Sequence, residues 1–485
     1  MAITSNVAVT KWYQENTSVW TLDYPPFFAW FEYGLSQVAN VFDPSITVLS
    51  KQPMNSFNTV IFQRFSVVCT DVLYVIGAVG ISSAIKDDSA LKNLRREVLI
   101  LLLCLNPCLL LVDNIHFQYN GFLFGVFLLS IREMYLGNVL LSSAYFTALL
   151  NLKQLFLYIA PAYGVYIFNK YLVIDGHSPY RFSKRIAWSR CCRLFMVVVF
   201  IFSLSLAPFL YANQLGTLVS RLFPFKRGLT HAYWAPNFWA MYSFADLSLH
   251  FVCNKLNFTM CYATTATAGY TTGIVQDFAH LVLPRVTPLV TFVIVLLGLS
   301  PLAVSFMRPV TPDAFVKMLV ACAFSSFLFG WHVHEKAVIM IIVPLTILAL
   351  NDRSYAKIFL LIFSAGLAGL FPLFARPFES VLKYGVFVVY FGIAYMLLHK
   401  MHGCGGKISL LTVPELFYVL GIVCIEFYCR FAHTLLFTTR LPFMPLLITS
   451  VYCAIGVVYS WILFCWHFLL HESVHDISVR TIKPT

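Results

Sequence analysis

From residue 63 to residue 469 the chain is a succession of apolar runs separated by short polar turns. A helix needs about 20 apolar residues to cross the hydrocarbon core of a bilayer. About thirteen runs reach or approach that length, near 63–85, 97–113, 121–136, 138–152, 155–169, 194–212, 280–306, 314–330, 336–350, 356–375, 379–398, 411–429 and 444–469. The third to fifth are short and crowded. Only 11% of the 485 residues are charged, against about a quarter in soluble globular domains. No polar stretch is long enough to fold apart from the membrane. The pattern predicts an all-α polytopic membrane protein. Residues 1–62 form an amino-terminal segment with an amphipathic interfacial helix over 27–42. Residues 63–469 form a helical bundle that includes a long loop at 213–279, and 470–485 are a cytoplasmic tail.

The formal charge of +12 is not a nucleic-acid footprint, because the cations lie mostly in short loops, where they set membrane orientation. Lys86, Lys92, Arg95 and Arg96 follow the first run. Lys170, Arg181, Lys184, Arg185, Arg190 and Arg193 follow the fifth, and Arg353 with Lys357 follows the ninth. All fall on one side, which is then cytoplasmic. The luminal side receives the amino-terminal segment, residues 113–121, the loop 213–279 and residues 332–336. The sequons Asn16-Thr17-Ser18 and Asn257-Phe258-Thr259 fall there too. A luminal amino-terminal segment needs an apolar element to carry it across, and the expectation is that this chain begins inside a longer protein. The 13 cysteines are scattered, with no CxxC pair and no zinc spacing. Cys253 and Cys261 could bridge in an oxidising lumen.

Three luminal stretches concentrate unusual chemistry. Phe329-Gly330-Trp331-His332-Val333-His334-Glu335-Lys336 sits between two nearly uncharged runs. Ionisable groups at such a border are costly unless they face water, a cavity or each other. His332 and His334 alternate, so an extended backbone points them the same way. The order differs from the HExxH zinc helix, and a phosphate suits His334 and Lys336 better; the bland alternative is a wet inter-helix loop. In Trp20-Thr21-Leu22-Asp23-Tyr24-Pro25-Pro26 two prolines stiffen the backbone, holding Asp23 beside an aromatic surface suited to a sugar. The competing reading is an interfacial aromatic belt with Asp23 capping the next helix. Asp113-Asn114-Ile115-His116-Phe117-Gln118-Tyr119-Asn120-Gly121 offers donors and acceptors for hydroxyls or phosphate oxygens, or is an ordinary turn. In the long loop, Arg221-Leu222-Phe223-Pro224-Phe225-Lys226-Arg227-Gly228 precedes His231, Tyr233, Trp234, Asn237 and Trp239. That mix suits a phosphorylated, sugar-bearing lipid or simple attraction to anionic headgroups. Asp71 and Lys153, inside apolar runs, must face the bundle interior.

Taken together, Leu22–Pro26 (LDYPP), His116–Asn120 (HFQYN), Arg221–Gly228 (RLFPFKRG), His231–Trp239 (HAYWAPNFW) and His334–Lys336 (HEK) resemble the dolichyl-phosphate-glucose-dependent α-1,3-glucosyltransferases of N-glycan assembly. The HAYWAPNFW stretch tilts the resemblance to the branch adding the second glucose. It implies a GT-C-type multi-span helical bundle with luminal loops, in the endoplasmic reticulum membrane. It implies inverting transfer from dolichyl phosphate glucose to a dolichyl-diphosphate oligosaccharide among membrane lipids, without nucleotide sugar, cofactor or metal. Substrate contacts fall to Asp23, Tyr24, His116, Gln118, Tyr119, His334, Glu335, Lys336, Arg221 and Arg227, with His334 near the phosphate. The family carries its aspartate base in a D-x-E motif upstream of the residues that match Met1-Ala2-Ile3-Thr4, so no catalytic base is assigned here. Three alternatives stay open: the first-glucose branch, an inactive shortened form, and a polytopic transporter. The chain shows no internal repeat of the kind transporters often carry.

Overall fold

The computed structural model describes residues 1–18, 21–52, 55–86, 89–175, 184–223, 228–229, 234–256, 280–305, 311–374, 376–402, 409–438 and 440–481. Among these it is helical apart from one pair of short strands, as the apolar runs predict. Among the described residues, eight helices are long and apolar enough to cross a membrane: Phe57–Ala84, Lys92–His116, Trp188–Tyr211, Pro312–Phe329, Arg353–Leu373, Phe378–His402, Val413–Phe437 and Met444–Leu469. The remaining runs are shorter or broken, and local chemistry says why. The run at 155–169 divides into a 3-10 turn and a short helix followed by a π turn. The run at 280–306 is interrupted before Pro301, which cannot donate the hydrogen bond that a continuing helix needs.

The chain forms two compact units, Met1–Cys104 with Leu109–Pro224 and Leu105–Cys108 with Phe225–Thr485. The first begins with α1 (Ala2–Asn6) and α2 (Pro26–Phe42). Pro25 is the N-cap of α2 and Pro26 opens it, so Asp23 does not cap this helix. A proline costs nothing at a first turn whose N–H has no partner. Next come α3 (Phe57–Ala84), α4 (Lys92–Cys104), α5 (Pro107–His116), α6 (Asn120–Leu136), α7 (Val139–Leu152) and α8 (Ala160–Ile167). The antiparallel pair β1 (Val173–Asp175) and β2 (Lys184–Ile186) sets Ile174 opposite Arg185. Helices α9 (Trp188–Tyr211) and α10 (Leu215–Leu222) complete the unit.

Helices α3 and α6 pack along each other, and small residues set how closely. A Cβ on Gly125 would lie 2.6 Å from the Leu73 carbonyl, and one on Gly77 would lie 2.8 Å from the carbonyl of Gly125. In lipid there is little hydrophobic drive between helices, so such close backbone contact carries much of the association. Gly125→Ala is therefore expected to destabilise the unit by about 1–3 kcal/mol. The check is the thermal midpoint of the detergent-purified protein; an unchanged midpoint would show that the two helices separate at no cost.

The second unit contains α11 (Phe238–Leu256), α12 (Pro288–Gly298), α13 (Pro301–Ser305), α14 (Pro312–Phe329), α15 (Ile339–Ala349), α16 (Arg353–Leu370), α17 (Pro377–His402), α18 (Val413–Phe427), α19 (His433–Phe437) and α20 (Met444–Thr481). Its core is the α14–α15–α16 group, whose side chains are nearly all buried. Four of these helix starts carry side-chain caps. Thr287, Thr311 and Asp352 accept the amides of Val290, Ala314 and Ser354, and Thr412 forms a capping box with Glu415. The fully buried Asp246 on α11 accepts the amides of Leu281, Val282 and Leu283 at 2.7–2.8 Å, anchoring the far side of the long loop. Cys253 is disulfide-bonded, and Cys261 lies outside the described residues.

Candidate functional site

Helix α7 ends at Leu152, and the next two side chains, Lys153 and Gln154, hold two of the predicted motifs in the first unit. Lys153 Nζ donates to Asn120 Oδ1 at 2.6 Å. The Asn120 amide donates to Asp113 Oδ1 at 2.7 Å and to Gln118 Oε1 at 3.1 Å. Gly121 N donates to Asp113 Oδ2, and Gln118 N to the Asp113 carbonyl at 3.2 Å. The amide of Asn120 thus stands between a buried carboxylate and an ammonium, each of which would be expensive to bury unpartnered. The effect is to fix the HFQYN turn. His116 is the last residue of α5, and Phe117 takes a left-handed φ of 52° under the Arg64 guanidinium.

Gln154 reaches the other motif, with its Nε2 3.4 Å from the Asp23 carbonyl and 3.3 Å from that of Leu222. Asp23 Oδ1 accepts the Thr21 hydroxyl at 2.9 Å, and the Tyr13 hydroxyl donates to the Tyr24 carbonyl at 2.7 Å. Rings connect the two motifs: Tyr24 to Phe28 at 4.5 Å and Phe28 to Tyr119 at 6.2 Å. The Tyr119 hydroxyl pairs with Ser66 Oγ at 2.9 Å. Burial pushes this phenol above its ordinary range and nearby Glu32 adds to the effect, so it stays protonated. A cavity of about 330 Å³ opens beside this group, with Thr21, Leu22, Tyr24, Phe28, Glu32 and Gln63 among its lining residues. Arg221, on the last turn of α10, donates to the Glu15 carbonyl at 3.1 Å and to Asn16 Oδ1 at 2.7 Å. Its guanidinium therefore ties down the amino-terminal segment.

In the second unit, the HEK turn joins α14 to α15 through a 3-10 segment, Glu335–Val338, capped by His334. Val333 and Glu335 are buried while His332 and His334 are half-exposed, although the backbone is not extended throughout, since His332 takes a φ of 51°. His334 Nδ1 lies 2.9 Å from Glu335 Oε1, with the imidazole 37% exposed and the carboxylate at 0%. Nδ1 is also 3.3 Å from the Lys336 amide. One ring nitrogen cannot donate to the first and accept from the second. The amide contact is the one with hydrogen-bond geometry, so Nδ1 accepts from the Lys336 N–H as the N-cap of the 3-10 segment. With Nδ1 accepting, the neutral ring carries its N–H on Nε2. Trp239 Nε1 donates to the Gly330 carbonyl at 3.1 Å and Asn237 Nδ2 to that of Phe327 at 3.3 Å, so the HAYWAPNFW stretch braces this turn.

Asp23, Tyr24, His116, Gln118, Tyr119 and Arg221 therefore belong to the first unit, and His334, Glu335 and Lys336 to the second. Arg227 lies outside the described residues. Sequence reasoning gave Asp113 no role beyond its place in a polar patch and passed over Gln154 and Gln214. The last is fully buried, and its amide holds Tyr13 N at 3.2 Å and the Val9 carbonyl at 3.2 Å. Their common signal is a pair of adjacent polar side chains at the border of an apolar run.

A profile of the ALG6, ALG8 glycosyltransferase family matches residues 1–464. The chain belongs to this family. It is thus a glycosyltransferase and a multi-pass membrane protein. This glycosyltransferase is 41% identical over 481 residues to a Bos taurus protein named dolichyl pyrophosphate Glc1Man9GlcNAc2 alpha-1,3-glucosyltransferase, covering 95% of this chain and 88% of that one. A Drosophila melanogaster protein, named as probably the same activity, is 41% identical over 467 residues, with 95% and 86% covered. A Schizosaccharomyces pombe protein of that name is 38% identical over 477 residues, with 96% and 91% covered.

Proposed function

We propose that this glycosyltransferase adds the second glucose to the lipid-linked oligosaccharide of N-glycan assembly. Its donor is dolichyl phosphate glucose, its acceptor is Glc1Man9GlcNAc2 on dolichyl diphosphate, and the new bond is α-1,3, formed with inversion in the endoplasmic reticulum lumen. The observation that carries this reading is the 41% identity, across 95% of the chain, to proteins whose names specify that acceptor. Those names do not favour the first-glucose alternative.

In the reaction an acceptor hydroxyl oxygen attacks the anomeric carbon of glucose. The bond from that carbon to the phosphate oxygen breaks, and dolichyl phosphate leaves with the electron pair. The hydroxyl proton passes to a carboxylate base, for which no residue is assigned. Charge builds up on the departing phosphate, where donors and cations act best. His334, oriented by the buried Glu335, and Lys336 are assigned to that phosphate. The Nε2 N–H of the imidazole is the donor. Asp23, Tyr24, His116, Gln118 and Tyr119 are assigned to sugar hydroxyls and ring faces. A lipid-bound donor reaches such a site at the membrane edge with its tail still in the bilayer.

The test uses membranes containing the protein, dolichyl phosphate glucose and either the mono-glucosylated or the non-glucosylated acceptor. The expected product is the mono-glucosylated oligosaccharide plus one hexose, seen by mass spectrometry. Transfer from UDP-glucose with no dolichyl donor present, or preference for the non-glucosylated acceptor, would sink the assignment.

A further inference from the structure

His332 has no part in the phosphate contacts just assigned, yet its backbone is the most unusual in the HEK turn. Its φ is 51°, in the left-handed region. A residue with a Cβ enters that region only when its surroundings over-determine it, and such strain collects at functional sites. Here the surroundings are specific. The His332 amide donates to the Leu229 carbonyl at 3.2 Å, and His332 Nδ1 lies 2.7 Å from the Gly228 carbonyl, a contact only a protonated ring nitrogen makes. One residue thus engages two successive carbonyls of a segment more than a hundred positions earlier. Two positions back, the Gly330 carbonyl takes the Trp239 indole at 3.1 Å. Gly330 itself has no room for a side chain, since a Cβ there would lie 2.5 Å from the Ser326 carbonyl. The chain is therefore pinned at 330 and at 332, immediately before His334.

We propose that His332 is a positioning residue: by clasping Gly228 and Leu229 in a left-handed conformation it sets the direction in which His334 meets the donor phosphate. The inference rests on the assignment of His334 to that phosphate. Both requirements, a left-handed backbone and a side-chain donor one carbon beyond Cβ, can be separated by substitution. Glycine accepts the conformation and lacks the donor. Asparagine tolerates the conformation and carries an amide where the imidazole has Nδ1.

The experiment compares His332→Gly and His332→Asn with the parent in purified full-length protein, with His334→Ala alongside. Measured are the KM for dolichyl phosphate glucose, the inhibition constant of dolichyl phosphate, and the KM for the oligosaccharide acceptor. His332→Gly is expected to raise the first two about tenfold, the equivalent of one charge-assisted hydrogen bond, and to leave the acceptor KM unchanged. His332→Asn is expected to restore both. A merely structural role would lower the active fraction without moving either constant, and that result overturns the inference. So does an asparagine variant as impaired as glycine. Failure of the underlying assignment is seen separately, as a His334→Ala protein with the parent's affinity for dolichyl phosphate.

Discussion

Replacing His334 by alanine is expected to lower glucosyl transfer by about a hundred- to a thousand-fold, the usual cost of losing one donor aimed at developing charge. The protein should stay folded, because the imidazole is half-exposed and its removal leaves no cavity in the core. Glu335→Gln is expected to lose less. Glutamine keeps the shape and removes only the negative charge 2.9 Å from the imidazole. Activity is measured as hexose addition to the mono-glucosylated acceptor, and folding as the thermal midpoint in detergent. Turnover by His334→Ala within a few-fold of the parent would remove this residue from the phosphate site. Equal loss of folding and activity would return the turn to a structural role.

The second large effect belongs to the first unit. Asp113→Ala is expected to cost about 3–5 kcal/mol, because it removes one partner of a buried charge arrangement. The Gly121 amide and the Asn120 side chain lose the carboxylate they donate to, and the Asn120 bridge to Lys153 loses its anionic end. The HFQYN turn then loses its fixed geometry, and transfer should fall together with the midpoint. Adding Lys153→Met to Asp113→Ala is expected to recover part of the lost stability, since an ammonium no longer faces the place of the removed carboxylate. If Asp113→Ala melts with the parent, or the second substitution only deepens the loss, the charge bridge does not hold the turn.

These experiments separate two kinds of contact that the sequence presented alike. In HFQYN the polar side chains largely bind one another: Asn120 and Gln118 satisfy each other and Asp113. In HEK the arrangement is different, with a carboxylate withdrawn into the core and an imidazole presented at its border. Arg221 shows the risk of reading charge alone. In the sequence it looked like a substrate cation, and in the fold its guanidinium fastens residues 15 and 16 to α10. The capping alternative for Asp23 fails for an equally local reason, since Pro25 already occupies the N-cap position.

What the sequence determined by itself was the class of structure and the family. Scarce charge and bilayer-length apolar runs leave a chain few ways to satisfy its backbone other than helices, and combined motifs such as LDYPP, HFQYN and HEK depend on residue identity alone. The tertiary structure decided the rest. It broke several expected spans into shorter pieces, because prolines and 3-10 or π turns interrupt the i to i−4 ladder at places hydropathy averages away. It also decided partners. Gln154 meets Asp23, Asp113 meets Asn120, and His332 meets Gly228. A hydrogen bond across 104 positions leaves no periodicity in the chain, since it arises from where packed helices happen to end.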